Sequence, residues 1–214
     1  MLIAGLGGNC KDVLADMANK HSLSNLRFYT DDLNDKYLPF FEKNGCIVYK
    51  GVEGLTNYFS NSDKAFISCI GNNYAREKQA AFITKHGGVA ANHISDKAMI
   101  NPGLTDIGNG NIIIMHFATV SVGSRIEEGA IIYPYGGIGH DVVIGRYAFV
   151  SAHCALSNAV VGDYTFIGLN SMVGEGVTIG KNCIIGANSY VKHDLPDNVI
   201  AVGSPAKIIR ENKI

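Results

Sequence analysis

Between residues 114 and 191, aliphatic side chains return at every sixth position. They fall at Ile114, Val120, Ile126, Ile132, Ile138, Ile144, Val150 and Leu156, then, after one spacing of five, at Val161, Ile167, Val173, Ile179, Ile185 and Val191. Four residues after most of them stands a smaller residue: Ala118, Ser124, Ala130, Gly136, Val142, Ala148, Cys154, Thr165, Ser171, Val177, Cys183 and Ser189. A period of six is neither the 3.6 of an amphipathic helix nor the 2 of a simple strand. It fits a coil of short strands joined by tight turns, in which both sets point inward and stack on their equivalents in the next coil. With three hexads per turn, these sites make between four and five coils of about 18 residues each. Glycine follows the aliphatic directly at Gly139, Gly145, Gly162, Gly168, Gly174, Gly180 and Gly186, where it supplies turn conformations that residues with a Cβ resist. The pattern offers no account of the five-residue step from Leu156 to Val161 beyond a local irregularity.

The first hundred residues follow a different grammar. Leu2 to Gly5, Leu26 to Tyr29, Cys46 to Tyr49 and Ala65 to Ile70 read as short strands, while Lys11 to Lys20, Leu55 to Phe59 and Arg76 to Lys85 read as helices. The alternation predicts a small α/β unit with a parallel sheet. The expected division is residues 1–95 as a Rossmann-like domain and 96–214 as the coiled solenoid. Nine of the 25 glycines lie before residue 101 and sixteen after it, which marks the same change.

Composition narrows the function. Eighteen Lys+Arg against nineteen Asp+Glu leave a formal charge of -1, so no positive field gathers nucleic acid or anionic lipid. Five scattered cysteines, none in a C-x-x-C pair, suggest neither a disulfide framework nor zinc, and fit a reducing cytosol. The start lacks the basic flank of a signal peptide, and no uncharged stretch reads as a membrane span.

Three places could carry chemistry. Gly5-Leu6-Gly7-Gly8-Asn9-Cys10-Lys11 follows a strand and opens a helix, where free N–H groups and the helix dipole favour phosphate; it is not the full G-x-G-x-x-G fingerprint, and a glycine-eased turn is the alternative. Asp31-Asp32 follows the second strand, where acidic residues meet a ribose in dinucleotide folds, or forms a solvated turn. So short a unit offers one nucleotide-binding half, which disfavours a nicotinamide cofactor. His140, two residues past an inward aliphatic, falls at a corner of the coil beside Asp141, an arrangement suited to a general base with an orienting carboxylate or to an incidental surface pair. His153 lies outward on the following coil. Cys154 and Cys183 occupy small inward positions and read as buried hydrophobes rather than acyl-accepting nucleophiles. His116, His140 and His153 differ by 24 and 13 residues instead of one coil, so no metal site is expected.

The aliphatic-Gly-x-x-small-x repeats resemble the hexapeptide-repeat acyltransferases, which fold as left-handed parallel β-helices and pack as homotrimers. Handedness follows from that resemblance alone, since parallel crossovers are otherwise nearly always right-handed. The Gly-x-Gly-Gly opening, Asp31-Asp32, the Ile-Gly-Asn-Asn stretch ending at Asn73, and the His-acid corner together resemble bacterial nucleotide-sugar N-acetyltransferases over almost the entire chain. These acetylate UDP-4-amino-4,6-dideoxy sugars in the bacillosamine pathway; relatives use dTDP- or GDP-4-amino sugars, and sialic acid O-acetyltransferases share the architecture.

The resemblance implies an acetyl-CoA-dependent transfer to a sugar amine in the cytoplasm, with His140 as general base and Asp141 orienting it. It implies that Gly7, Gly8, Asn9, Lys11, Asp31, Asp32 and Asn72 hold the nucleotide sugar. The acetyl-CoA groove, between neighbouring prisms, takes Phe149, Gly168, Leu169 and Ala187. Two departures stand out: relatives carry His-Gly where this chain has Asn9-Cys10, and often a histidine where it has Phe149. Gly203-Ser204-Pro205-Ala206-Lys207 is similar to the tail that closes the prism end. O-acetylation of a sialic-acid-like sugar and a non-catalytic trimeric sugar-nucleotide binder are the alternatives.

Overall fold

The computed structural model describes residues 1–18 and 21–213; Lys20, the expected end of the first helix, and Ile214, the end of the expected second domain, lie outside the described residues. Two units emerge, Met1–Asn92 and His93–Ile214.

In the first unit, β1 (Leu2–Ala4), α1 (Gly8–Ala18), β2 (Arg27–Thr30), α2 (Leu38–Lys43), β3 (Ile47–Lys50), α3 (Gly51–Asn61), β4 (Ala65–Ser68), α4 (Asn73–Lys85) and β5 (Val89–Ala90) follow one another. The strands form one parallel sheet in the order β3-β2-β1-β4-β5. Leu2, Ile3 and Ala4 are all buried, as expected of a central strand covered on both faces. Leu55, Tyr58 and Phe59 of α3 and Ile83 of α4 close over Tyr29 and Phe66 to make the core. Helix α2 was not legible in the pattern: it has six residues, too few for a helical period, and is fixed by Phe41 packing 4.8 Å from Phe28. The order in which successive strands are laid down reverses at β1, β2 and β3 lying on one side and β4 and β5 on the other, which opens a crevice beyond the strands' C-terminal ends.

In the second unit, seventeen two-residue strands among the described residues, from His93–Ile94 to Tyr190–Val191, stack into three parallel sheets. Equivalent residues mostly lie 18 apart: Ile114 pairs with Ile132, and Ile132 with Val150. The inward aliphatics and small residues form one continuous apolar column. The prism is longer than the predicted four to five coils. Strands His93–Ile94, Met99–Ile100 and Asp106–Ile107 precede Ile114, and the seven-residue steps from Ile100 to Ile107 and from Ile107 to Ile114 break the period that would have revealed them. The tail forms an antiparallel hairpin, Val199–Gly203 with Ala206–Glu211, whose first strand caps the sheet at Ile184–Ile185.

The repeat glycines have a different purpose from the one predicted. None of the seven adopts a positive φ; the left-handed residue of each corner lies two positions later and is often Asn, Asp or an aromatic, as at Tyr135, Asp141, His153 and Asn170. The glycines are required by close approach of neighbouring coils. A Cβ at Gly162 would lie 2.6 Å from Gly180 backbone, and one at Gly139 would lie 2.7 Å from Leu156 O. Each left-handed residue is held by its N–H, as Asp141 N–H donates to Val122 O at 3.0 Å.

The five-residue step also acquires a physical account. At this edge corners 121–124, 139–142 and 174–177 have four residues; here there are three, 157–159. Asn158 takes two roles at once: its N–H donates to His140 O at 2.8 Å, as Asp141 donates one coil earlier, and its carbonyl receives Gly176 N–H at 2.7 Å. One residue, Asn158, thus bridges the coil of His140 and the coil of Gly176.

Candidate active site

The crevice of the first unit is a cleft of about 620 Å3 that gathers Gly7, Gly8, Asn9, Asp31 and Asp32, with Gly71 on its far wall. Helix α1 begins at Gly8, so its first N–H groups open toward this space. A Cβ added at Gly7 or Gly8 meets nothing within 4 Å, which leaves the backbone open to a ligand. Gly71 is different: a Cβ there would lie 2.7 Å from Asn9 Nδ2. Two of the predicted binders do not line the cleft. Lys11 lays its ammonium over the rings of Tyr37 and Phe40, at 4.8 and 4.2 Å, and Asn72 caps α4 by accepting from Ala75 N–H at 2.9 Å.

The turn after β2 supplies residues that sequence reasoning missed: Asn34, Asp35, Lys36 and Tyr37 line the same cleft. Asp32 accepts from Asn34 N–H at 2.9 Å and Asp35 from Tyr37 N–H at 2.8 Å, so these carboxylates shape the turn as well as charge it. Arg76 is fully buried behind the wall. Its guanidinium donates to Ile70 O at 2.8 Å, Gly71 O at 3.3 Å and Asn73 Oδ1 at 3.1 Å, fixing the loop and placing a positive charge behind it. The signal lay in its position one turn into α4, where an inward-facing Arg invites a search for carbonyl partners.

In the second unit, His140 and Asp141 come together at one corner of the prism. His140 Nδ1–H donates to Asp141 Oδ2 at 2.9 Å, which leaves Nε2 as the basic nitrogen; the side chains are 50% and 65% exposed. The coil beneath holds this corner in place. Ser124, buried, donates its hydroxyl to Gly139 O at 2.6 Å and accepts from Val142 N–H at 3.0 Å, bracketing the four residues that carry the pair. Thr165 and Ser171 bracket other corners in the same way. Gly123 lies under the Asp141 carboxylate, where a Cβ would collide with Oδ1. A cleft of about 490 Å3, walled by Met99, Ile100, Thr119 and Ser121, reaches Gly139 beside the histidine.

Leu169, 51% exposed, and Ala187, also exposed, stand one coil apart at a different corner, with Gly168 buried beneath Ala187. They form an apolar ledge on which a pantetheine arm could lie. Phe149 does not join them: it is 4% exposed on a prism face, between Tyr133 at 4.9 Å and Phe166 at 5.3 Å. His153 belongs to the ledge's corner rather than to His140's, stacked 4.9 Å on Tyr135, which in turn stacks 5.1 Å on Phe117. Burial raises the thiols of Cys154 and Cys183 above their ordinary value, which suits core packing and not nucleophilic catalysis. Among the described residues no group of three His, Cys, Asp or Glu side chains is placed to hold a metal, and no helix is long and apolar enough to cross a membrane.

A hexad prism with a His-Asp corner follows a one-half nucleotide fold in the same chain. The family model for bacterial transferase hexapeptide repeats matches residues 158–193. PerB of Caulobacter crescentus, solved with CoA and GDP-perosamine, is 28% identical, with 97% of this chain and 95% of that one covered at a TM-score of 0.84. The acetyltransferase domain of PglB from Neisseria gonorrhoeae shares the fold at a TM-score of 0.82 and 24% identity, covering 97% of this chain and 98% of that one. Galactoside O-acetyltransferase of Escherichia coli is 47% identical over 51 residues, which is 24% of this chain and 25% of that protein. The chain spans about a quarter to a half of the length of the curated relatives it matches. The prism is a left-handed parallel β-helix, as in these structures.

Proposed function

We propose that this protein is an acetyl-CoA-dependent N-acetyltransferase for the amine of a nucleotide-linked 4-amino-4,6-dideoxy sugar, working as a cytoplasmic homotrimer. One observation carries the reading: a carboxylate-oriented imidazole stands at the corner of a hexad prism whose chain also supplies a cleft lined by a glycine turn at a helix N-terminus. The likeness to a structure holding CoA and GDP-perosamine supports it along nearly the full chain.

In this reading the Gly7–Asn9 turn holds the sugar nucleotide's pyrophosphate by backbone N–H groups, while Asp31 and Asp32 accept from base or ribose donors. Leu169 and Ala187 hold the pantetheine arm. Acetyl-CoA supplies a thioester carbonyl: the C–N bond forms, the C–S bond breaks, and the thiol leaves. His140 Nε2 accepts the proton lost by the attacking amine and returns one to the departing sulfur, so no net proton is left on the protein. Asp141 holds the ring in the required tautomer and stabilises the transient imidazolium. Coil N–H groups near the corner stabilise the oxyanion.

The test is release of free CoA from acetyl-CoA with UDP-, dTDP- and GDP-linked 4-amino-4,6-dideoxyhexoses, alongside titration with the three nucleotides. Turnover with one donor and binding of its nucleotide are expected. Turnover on a nucleotide-free sugar hydroxyl instead would replace the reading by O-acetylation.

A further inference from the structure

Gln79 has one half of its amide held by the protein and the other half unaccounted for. It stands on α4, six residues after Asn73, and is 6% exposed; with Cys69, Ile70 and Gly71 it lines the cleft of the first unit. Ser68, the fully buried last residue of β4, donates its hydroxyl to Gln79 Oε1 at 2.6 Å. A serine hydroxyl has one proton, and this bond uses it to hold the amide in one orientation. Gln79 Nε2 has no partner among the described residues, so the side chain offers the cleft a donor and no acceptor. Burying an amide with its donor unpaired is costly, whereas Met would fill the same space without that cost. A ligand acceptor accounts for the residue where packing does not.

Which acceptor follows from what the other walls offer. On the reading of the cleft given above, which this inference rests on, the pyrophosphate takes the N–H groups of the Gly7–Asn9 turn. Asp31 and Asp32 follow β2, and Gln79 is held to β4, on the other side of β1, so the two meet the ligand from different sides. The carboxylates suit the ribose hydroxyls, which leaves a base carbonyl for the amide. Uracil and thymine carry a carbonyl at position 4 and guanine at position 6, where cytosine and adenine carry an amino group that donates. We propose that Gln79 is a specificity residue that reads this carbonyl through Nε2, so that the cleft takes nucleotides of keto bases and rejects those with an amino group at the same place. An amino group there would set two donors against each other and leave both unpaired.

Calorimetric titration of the intact protein with UDP, CDP, GDP and ADP reads the preference without any catalytic step; UDP and CDP differ along this one edge. The better keto nucleotide is expected to bind about thirtyfold or more tightly than its amino counterpart. Gln79→Met, of similar volume and without a donor, should weaken that nucleotide and bring the pair within about threefold. Ser68→Ala frees the amide to turn and should improve the amino nucleotide by about threefold or more, a change that a purely structural Gln79 does not produce. Circular-dichroism melts report the folding of each variant. Equal binding of keto and amino nucleotides by the wild type overturns the inference, as does a preference that persists in folded Gln79→Met. An equal loss across all four nucleotides in Gln79→Met assigns Nε2 to phosphate and overturns it too. If Gln79→Met does not fold, Ser68→Ala decides, and no gain for the amino nucleotide overturns the inference. Absence of binding by all four nucleotides in the wild type overturns the reading of the cleft and this inference with it.

Discussion

Ser124→Ala removes one hydroxyl from a residue that touches neither member of the His-Asp pair. That hydroxyl makes two bonds, 2.6 Å to Gly139 O and 3.0 Å from Val142 N–H, and Val142 is buried. Losing it leaves a buried N–H without its acceptor, which costs about 1–3 kcal/mol, and frees a carbonyl that water can reach at the corner. A loss of about 2 kcal/mol in a unit of this size lowers the melting temperature by roughly 5–10 °C. The effect on catalysis is separate. The two bonds bracket the backbone that sets the height of His140, and a misplacement of about 1 Å at a reacting group can cost about a hundredfold. The expected result is a kcat at least about tenfold lower with little change in KM for acetyl-CoA. Ser124→Thr should recover most of the loss, because Thr165 makes the same pair of contacts at its own corner, at 2.7 and 3.0 Å. Thermal melts and initial-rate kinetics on the purified protein decide the matter. A variant that loses stability but keeps its kcat would refute the positioning argument.

The other expectations follow the same logic. Gly123→Ala places a Cβ against the Asp141 carboxylate at a φ of +72°, so it should cost about 1–3 kcal/mol and shift the pH profile of kcat by disturbing the His140 hydrogen bond; an unaltered profile would count against Asp141 as the orienting group. Arg76→Met removes three hydrogen bonds from the cleft wall and should lower stability by about 2–4 kcal/mol in a denaturant melt, with weaker nucleotide binding. Burial pushes the hydroxyls of Tyr29 and Tyr58 from 10.0 up to about 12, with nearby Asp31 and Asp63 adding to the rise. Raised folded values give stability that is complete below pH 10 and lost as pH climbs toward 12, which an alkaline circular-dichroism titration should show as loss of the first unit.

Much of the prism was legible because six-residue periodicity is a direct image of its cross-section. Ile114 to Val191 could be placed on three faces from spacing alone. What escaped was whatever broke or imitated the period. The first three strands were hidden by two seven-residue steps. The meaning of Gly139 and Gly162 was misread, because a glycine needed for close approach looks the same in sequence as one needed for a positive φ. The step after Leu156 became intelligible once hydrogen bonds showed Asn158 serving two corner positions at once.

In the first unit, the glycine turn and Asp31-Asp32 met in one cleft as spacing suggested, because both follow strands of a single parallel sheet. Lys11 and Asn72 make local contacts, with an aromatic pair and as a helix cap, that no motif encodes. Phe149 was inferred from its place in a relative's pattern, and its burial between two aromatic rings could not be read from the chain.

The most direct test of the account is turnover by folded His140→Ala protein, followed as CoA release with the sugar nucleotide that the wild type accepts. If Nε2 is the base, turnover falls by about two or more orders of magnitude while binding of the nucleotide and of acetyl-CoA persists. Near-normal turnover in that variant would contradict the account at its centre.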